Sequence, residues 1–118
     1  MILGIGIDLV ELSRLKELMS ERFIDRVLSP EEKKLYLNIA AENTKLGFIG
    51  GRFAAKEALF KAISKGSGTA YYTDFSVLNK EHGEPYIQTD YFKEDEIVHL
   101  TITHTDHYAI AYVMIEKL

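Results

Sequence analysis

The order of elements in the sequence predicts an α+β domain, with about three helices packed on an antiparallel sheet. Three observations carry this. A glycine-interrupted apolar run opens the chain at 2–8. Helical spacing and helix-capping signals dominate the stretch from 11 to 65. From 71 onward the composition turns β-branched and aromatic, broken by turn signals. The length of 118 residues fits one domain, 1–118.

The first element is a strand carrying Ile2, Leu3, Ile5 and Ile7. Gly4 and Gly6 weaken a strand and mark close approach of another backbone, a subunit or a ligand. Leu12, Leu15, Leu18 and Met19 then predict an amphipathic helix over 11–20. The stretch SPEEKKLYLNIA begins a second helix: Ser29 suits the N-cap, Pro30 the first helical position, and Glu32 completes a capping box. Gly47, Gly50 and Gly51 interrupt the pattern before a third helix, 52–65, which GSG at 66–68 ends.

The second half reads as strands. YYTDFSVL is the first, KEHGEP a turn, and PYIQ a short strand after it. VHLTIT and YAIAYVMI form a hairpin around Asp106 and His107. Tyr108–Ile115 is apolar at consecutive positions, which predicts burial on both faces, one of them covered by another subunit.

Composition narrows the function classes. Apolar residues make up 47% and charged residues 27%, the profile of a globular protein. A net charge of −4 argues against a broad nucleic-acid-binding face. The absence of cysteine excludes disulfides and thiolate metal sites, and fits a reducing, cytoplasmic setting. The first residues lack the basic region and cleavage site of a signal peptide, and the longest apolar run is too short to span a bilayer.

Charged residues cluster in GGRFAAKEALFKAISKGSG. Glu57 and Lys61, Arg52 and Lys56, and Lys61 and Lys65 are each four apart. Such pairs suit a solvated helix face. Against that, Phe53, Ala54, Ala55, Ala58, Leu59, Phe60, Ala62 and Ile63 leave little of the helix for water. Asp8, at a strand-to-helix junction, suits an N-cap or a ligand of Mg²⁺, which takes one or two carboxylates plus substrate phosphates. Glu57 is its candidate partner and Glu11 a competing one. His104, near His107, suits a structural role or a binding role, and the two lack the third ligand that zinc requires. No dinucleotide fingerprint, Walker A sequence or GxSxG elbow is present.

Three segments in register, GIGIDLVELSRL, RFAAKEALFKA and LTITHTDHYAIAYV, together with the HGEPYI turn, carry a resemblance. The chain resembles, over nearly its whole length, the holo-[acyl-carrier-protein] synthases, the small phosphopantetheinyl transferases. The resemblance implies transfer of 4′-phosphopantetheine from coenzyme A to a serine of apo acyl carrier protein, in support of fatty acid biosynthesis. It implies that Asp8 and Glu57 hold Mg²⁺ and act in catalysis with Lys61. It implies that Arg52, Lys61, Gly68, Pro85, His104 and Thr105 bind coenzyme A, that Arg14, Arg22 and Arg26 face the acidic carrier, and that the assembly is a trimer. Thr103 stands where the family usually has serine, and SKGSG where it tends to read GTG. The chemistry agrees, because phosphoryl transfer needs positioning and charge neutralisation more than a protein nucleophile. Glu57, Lys61 and a metal-bound water are each candidate bases for the attacking serine.

Overall fold

A computed structural model describes residues 1–63, 68 and 70–118. It is α+β: β1 (Ile2–Glu11), α1 (Leu12–Leu18), α2 (Glu21–Val27), α3 (Pro30–Leu37), α4 (Glu42–Ala62), a 3₁₀ turn (Tyr72–Asp74), β2 (Ser76–Asn79), β3 (Pro85–Gln88), β4 (Glu96–His104) and β5 (Tyr108–Lys117). An antiparallel sheet of order β1-β5-β4 packs on α4, and β2-β3 forms a separate hairpin.

Each helix start follows from local chemistry. Ser29 caps α3 through a complete capping box with Glu32, Pro30 standing at the first position. Ser20 caps α2 by accepting from the Phe23 amide. That helix lies in a stretch the sequence pattern leaves without an element, because its seven residues span too few turns to display a periodicity.

Two expectations are corrected. Gly47, Gly50 and Gly51 do not break a helix; they lie within the 21 residues of α4. A β-carbon on Gly50 would come 2.5 Å from Leu12 Cδ2, so the glycine lets α1 seat against α4. Residues 71–74 are not a strand, since Tyr72–Asp74 turns before β2 begins at Ser76. The expected helix end at 64–67 lies outside the described residues. α4 closes at Ala62, with the Ile63 amide donating to the Leu59 carbonyl.

Gly6 meets a backbone rather than a ligand or subunit. A β-carbon there would sit 1.9 Å from the Ala58 carbonyl oxygen, and Gly4 repeats this against Ala62. β1 is pressed directly onto α4, which brings Asp8 next to the helix's last turns. The core is α4's Ala54, Ala55, Ala58 and Leu59 against Ala109, Ala111, Val113 and Ile115 of β5.

The sheet's other face is bare. Ile5, Ile7 and Leu9 are each 59% exposed. In register beside them stand Met114, Tyr112 and Ile110 of the central strand. β5 is therefore buried on one face and half-covered on the other, so the consecutive apolar run reflects a second face with no cover inside the chain.

Candidate active site

The N-cap reading of Asp8 is overturned. β1 runs three residues past it, Glu11 takes the cap position of α1 without a side-chain bond, and Asp8 pairs in the ladder with Ala111. Its carboxylate instead meets α4. Lys61 Nζ donates to Asp8 Oδ1 at 2.9 Å and to the Ile7 carbonyl at 3.0 Å. An ammonium has three protons, so one is left for a further acceptor. Glu11 is drawn elsewhere, accepting from the Ser13 hydroxyl at 3.0 Å.

Glu57 stands one turn before Lys61 on α4, half-buried. A residue that the sequence pattern does not single out, Tyr72, lies near both carboxylates. Its hydroxyl pKa is pushed far up, first by burial, then by a hydrogen bond to Glu57 and by the charges of Glu57 and Asp8. Arg26 works in the opposite sense, which places it near the same point. Asp8, Glu57, Lys61, Tyr72 and Arg26 thus converge, although β1, α2, α4 and the 3₁₀ turn contribute them. Nothing in AYYTDF marks Tyr72 within the sequence alone, because aromatic pairs are ordinary strand composition.

The other nucleotide-binding candidates gather elsewhere. Arg52, His104 and Thr105 line one cleft of about 660 Å³, with Phe48 and Asn43 in its wall. Arg52 is held on three sides: Nε donates to the Val77 carbonyl at 3.2 Å, Nη2 to Asn79 Oδ1 at 2.9 Å, and the guanidinium lies 3.9 Å from the centre of the Phe48 ring. Burial lowers its pKa, and the charge of Glu32 offsets part of that. Asn79 pairs with Pro85 across the hairpin, so Pro85 belongs to this side. Thr105 Oγ1 accepts from the His107 and Tyr108 amides at 3.1 and 3.0 Å, leaving its hydroxyl proton to donate. His104 is exposed at the end of β4. Gly68 is exposed, and Arg14 and Arg22 are exposed with no ion pair among the described residues.

The two groups lie on opposite sides of α4. Arg52 and Lys61 are nine residues apart, about 13 Å along the axis and half a turn around it. A single chain does not bring all the candidates to one ligand.

Between them lies a third charged group. Lys56 is wholly buried, donating to Glu32 Oε1 at 2.5 Å and to the Val27 carbonyl at 2.6 Å. Glu32 also accepts from the Ser29 and Val77 amides, both at 2.8 Å. The solvated helix face that the four-residue spacing of Arg52 and Lys56 suits therefore gives way to a core ion pair.

Carboxylates are the ligand type that a hard cation takes, and Asp8 keeps an oxygen for one. Lys61 takes one Asp8 oxygen, and among the described residues no donor reaches the other. Among the described residues no group of three or more His, Asp or Glu gathers.

Asp8 of the N-terminal strand and Lys61 of the long helix thus meet, with Glu57 one turn before the lysine. The chain belongs to the 4′-phosphopantetheinyl transferase superfamily, whose model matches residues 4–113. Within it, the holo-[acyl-carrier-protein] synthases are its relatives. That of Acholeplasma laidlawii is 50% identical, covering 98% of each chain, and that of Anoxybacillus flavithermus 46%, covering 100% of this chain and 98% of the other. The crystal structure of the Bacillus anthracis holo-(acyl-carrier-protein) synthase, in complex with CoA (3′,5′-ADP), superposes with a TM-score of 0.89 at 35% identity. It covers 100% of this chain and 99% of the other.

Proposed function

We propose that this chain transfers the 4′-phosphopantetheine arm of coenzyme A to a serine of apo acyl carrier protein, releasing adenosine 3′,5′-bisphosphate. The observation that carries the reading is the convergence of Asp8, Glu57 and Lys61 in a chain that matches holo-[acyl-carrier-protein] synthases over its full length. The 118 residues act as one transferase domain, in the cytoplasm, and the modified carrier serves fatty acid biosynthesis. Among the described residues no helix is long and apolar enough to cross a membrane.

Asp8 and Glu57 are the residues to hold Mg²⁺, which supplies charge neutralisation on the pyrophosphate. Lys61, with one proton uncommitted, is positioned to donate to a phosphate oxygen. Arg52, His104, Thr105 and Pro85 take the nucleotide end, and the guanidinium is already oriented before any ligand arrives. Gly68 offers bare backbone. Arg14, Arg22 and Arg26 are the contacts for the acidic carrier.

A homotrimer resolves the split of the site. The bare face of Ile5, Ile7, Leu9 and Tyr112 suits a second copy, and pairing the phosphate group of one copy with the nucleotide group of its neighbour completes a site. A monomer in analytical ultracentrifugation at micromolar concentration overturns this assembly.

The direct test weighs the product. Incubation with coenzyme A, Mg²⁺ and an apo carrier protein raises the carrier mass by one phosphopantetheine. Hydrolysis of coenzyme A without gain on the carrier refutes transfer and points to a pyrophosphohydrolase. Binding without reaction points to a non-catalytic module.

A further inference from the structure

What Arg52 can offer to an anion depends on how its guanidinium is held. The group carries five protons, and two are spent on β2: Nε donates to the Val77 carbonyl at 3.2 Å and Nη2 to Asn79 Oδ1 at 2.9 Å. The Phe48 ring lies against one face, its centre 3.9 Å away. Among the described residues no other side chain or carbonyl takes the two protons of Nη1 or the second of Nη2. One proton from each of these nitrogens makes the flat fork that binds an oxyanion through two parallel bonds. With its side edge on β2 and a face on Phe48, the guanidinium has its end left for the cleft that it lines with His104 and Thr105.

The Asn79 amide has no freedom in this arrangement. A guanidinium only donates, so Oδ1 must face Arg52. A backbone carbonyl only accepts, so Nδ2 must face Gly83, to whose oxygen it donates at 2.8 Å. Turning the amide over would set donor against donor and acceptor against acceptor. The Gly83 carbonyl is placed in turn by the loop that joins β2 to β3. The Gly83 amide donates to the Lys80 carbonyl and the Lys80 amide to the Glu84 carbonyl, both at 2.9 Å. Gly83 has a φ of 97°, in the left-handed region that favours glycine, while a β-carbon there would meet nothing within 4 Å. The glycine of HGEP therefore serves the shape of the turn and not a close approach.

We propose that Asn79 is a positioning residue for the nucleotide end of the substrate: its amide, set by the Gly83 turn, holds Arg52 Nη2 so that the guanidinium presents its end fork to an anionic group in the cleft. Asn79 is exposed, so its two bonds are not demanded by burial. What they accomplish is to couple the hairpin turn to the arginine. This inference rests on the assignment of Arg52 to the nucleotide side, and its test separates the two.

Adenosine 3′,5′-bisphosphate serves as the probe, titrated calorimetrically into the full-length protein and three variants. Asn79→Leu keeps the shape of the side chain and removes both polar atoms. It is expected to weaken binding about fivefold and to raise KM for coenzyme A by the same factor, with kcat changed by less than about twofold. Its melting temperature is expected to move by less than about 4 °C. Arg52→Ala is expected to weaken binding about tenfold. The double variant is expected to bind no more weakly than Arg52→Ala alone, because without a guanidinium the amide has nothing to orient. A loss of about fiftyfold in the double variant, the product of the two, means that Asn79 acts independently of Arg52 and overturns the positioning role. Wild-type affinity in Asn79→Leu, alongside weak binding in Arg52→Ala, overturns it as well. Wild-type affinity in Arg52→Ala overturns the assignment of Arg52 itself.

Discussion

Two of the lysines on helix α4, Lys56 and Lys61, are each bound to one carboxylate, and the pairs have opposite characters. Lys56–Glu32 is sealed: both side chains are inaccessible, and four further polar groups around them are satisfied by the same two residues. Lys61–Asp8 is open: the lysine side chain is 56% exposed and the aspartate 18%. The sealed pair joins α3, α4 and β2 where no ligand reaches it. The open pair has a spare proton and a spare oxygen. One chemistry, an ammonium on a carboxylate, is scaffold where water is excluded and is open to a further partner where water enters.

Breaking the sealed pair is expected to have the largest effect on stability. Glu32→Ala leaves the Lys56 ammonium buried with the Val27 carbonyl alone, and takes the acceptor from the Ser29 and Val77 amides. Removing one partner of a buried pair costs about 3–5 kcal/mol. Lys56→Ala is expected to cost less, because Glu32 retains its two amide donors. Urea denaturation of both variants checks the order, and an inverted order contradicts this account of who satisfies whom.

Breaking the open pair from the acid side is expected to spare the fold and remove the activity. Asp8→Asn keeps the β1 ladder intact, since Asp8 pairs with Ala111 through backbone. Turnover is expected to fall at least about 100-fold, equivalent to about 2.7 kcal/mol of transition-state stabilisation. Full activity with a lowered melting temperature would return Asp8 to a structural role. On the opposite side of α4, Arg52→Ala is expected to raise KM for coenzyme A about tenfold, or about 1.4 kcal/mol, with a smaller change in kcat. An unchanged KM removes Arg52 from the nucleotide side.

Much of this contrast was legible in the sequence, and the rest was hidden for definable reasons. Capping chemistry is local, so Ser29, Pro30 and Glu32 announced α3 at the correct residue. The apolar run of β5 announced a strand with two apolar faces, and it was the family resemblance, not spacing, that suggested Asp8, Glu57 and Lys61 together. The second duty of Glu32 was not legible, because its partner Lys56 lies 24 residues away and both read as surface charges. The length of α4 was obscured by three glycines whose reason is tertiary: Gly50 yields space to Leu12. Asp8 looked like a helix cap because a strand's end is set by its ladder partners, here a β5 long enough to carry β1 to Glu11. Tyr72 could not be found at all, since its meaning depends on Phe53, Phe60 and Glu57 meeting it across a loop.

The smallest stability effect is expected at Lys61, the lysine proposed to meet the phosphates. Lys61→Ala removes an exposed ion pair, a class that contributes about 0–1 kcal/mol. It also removes the donor to the Ile7 carbonyl, which water can replace at that exposed site. The melting temperature is therefore expected to shift little, and the difference from wild type to shrink as salt is raised, because exposed charges are screened. The loss in Lys56→Ala is expected to persist at the same salt concentration, since no ions reach that pair. A salt-insensitive loss in Lys61→Ala would mean that β1 depends on Lys61 to hold its place on α4. In that case the open pair is scaffold as well, and Lys61 is not free to leave the strand for a phosphate.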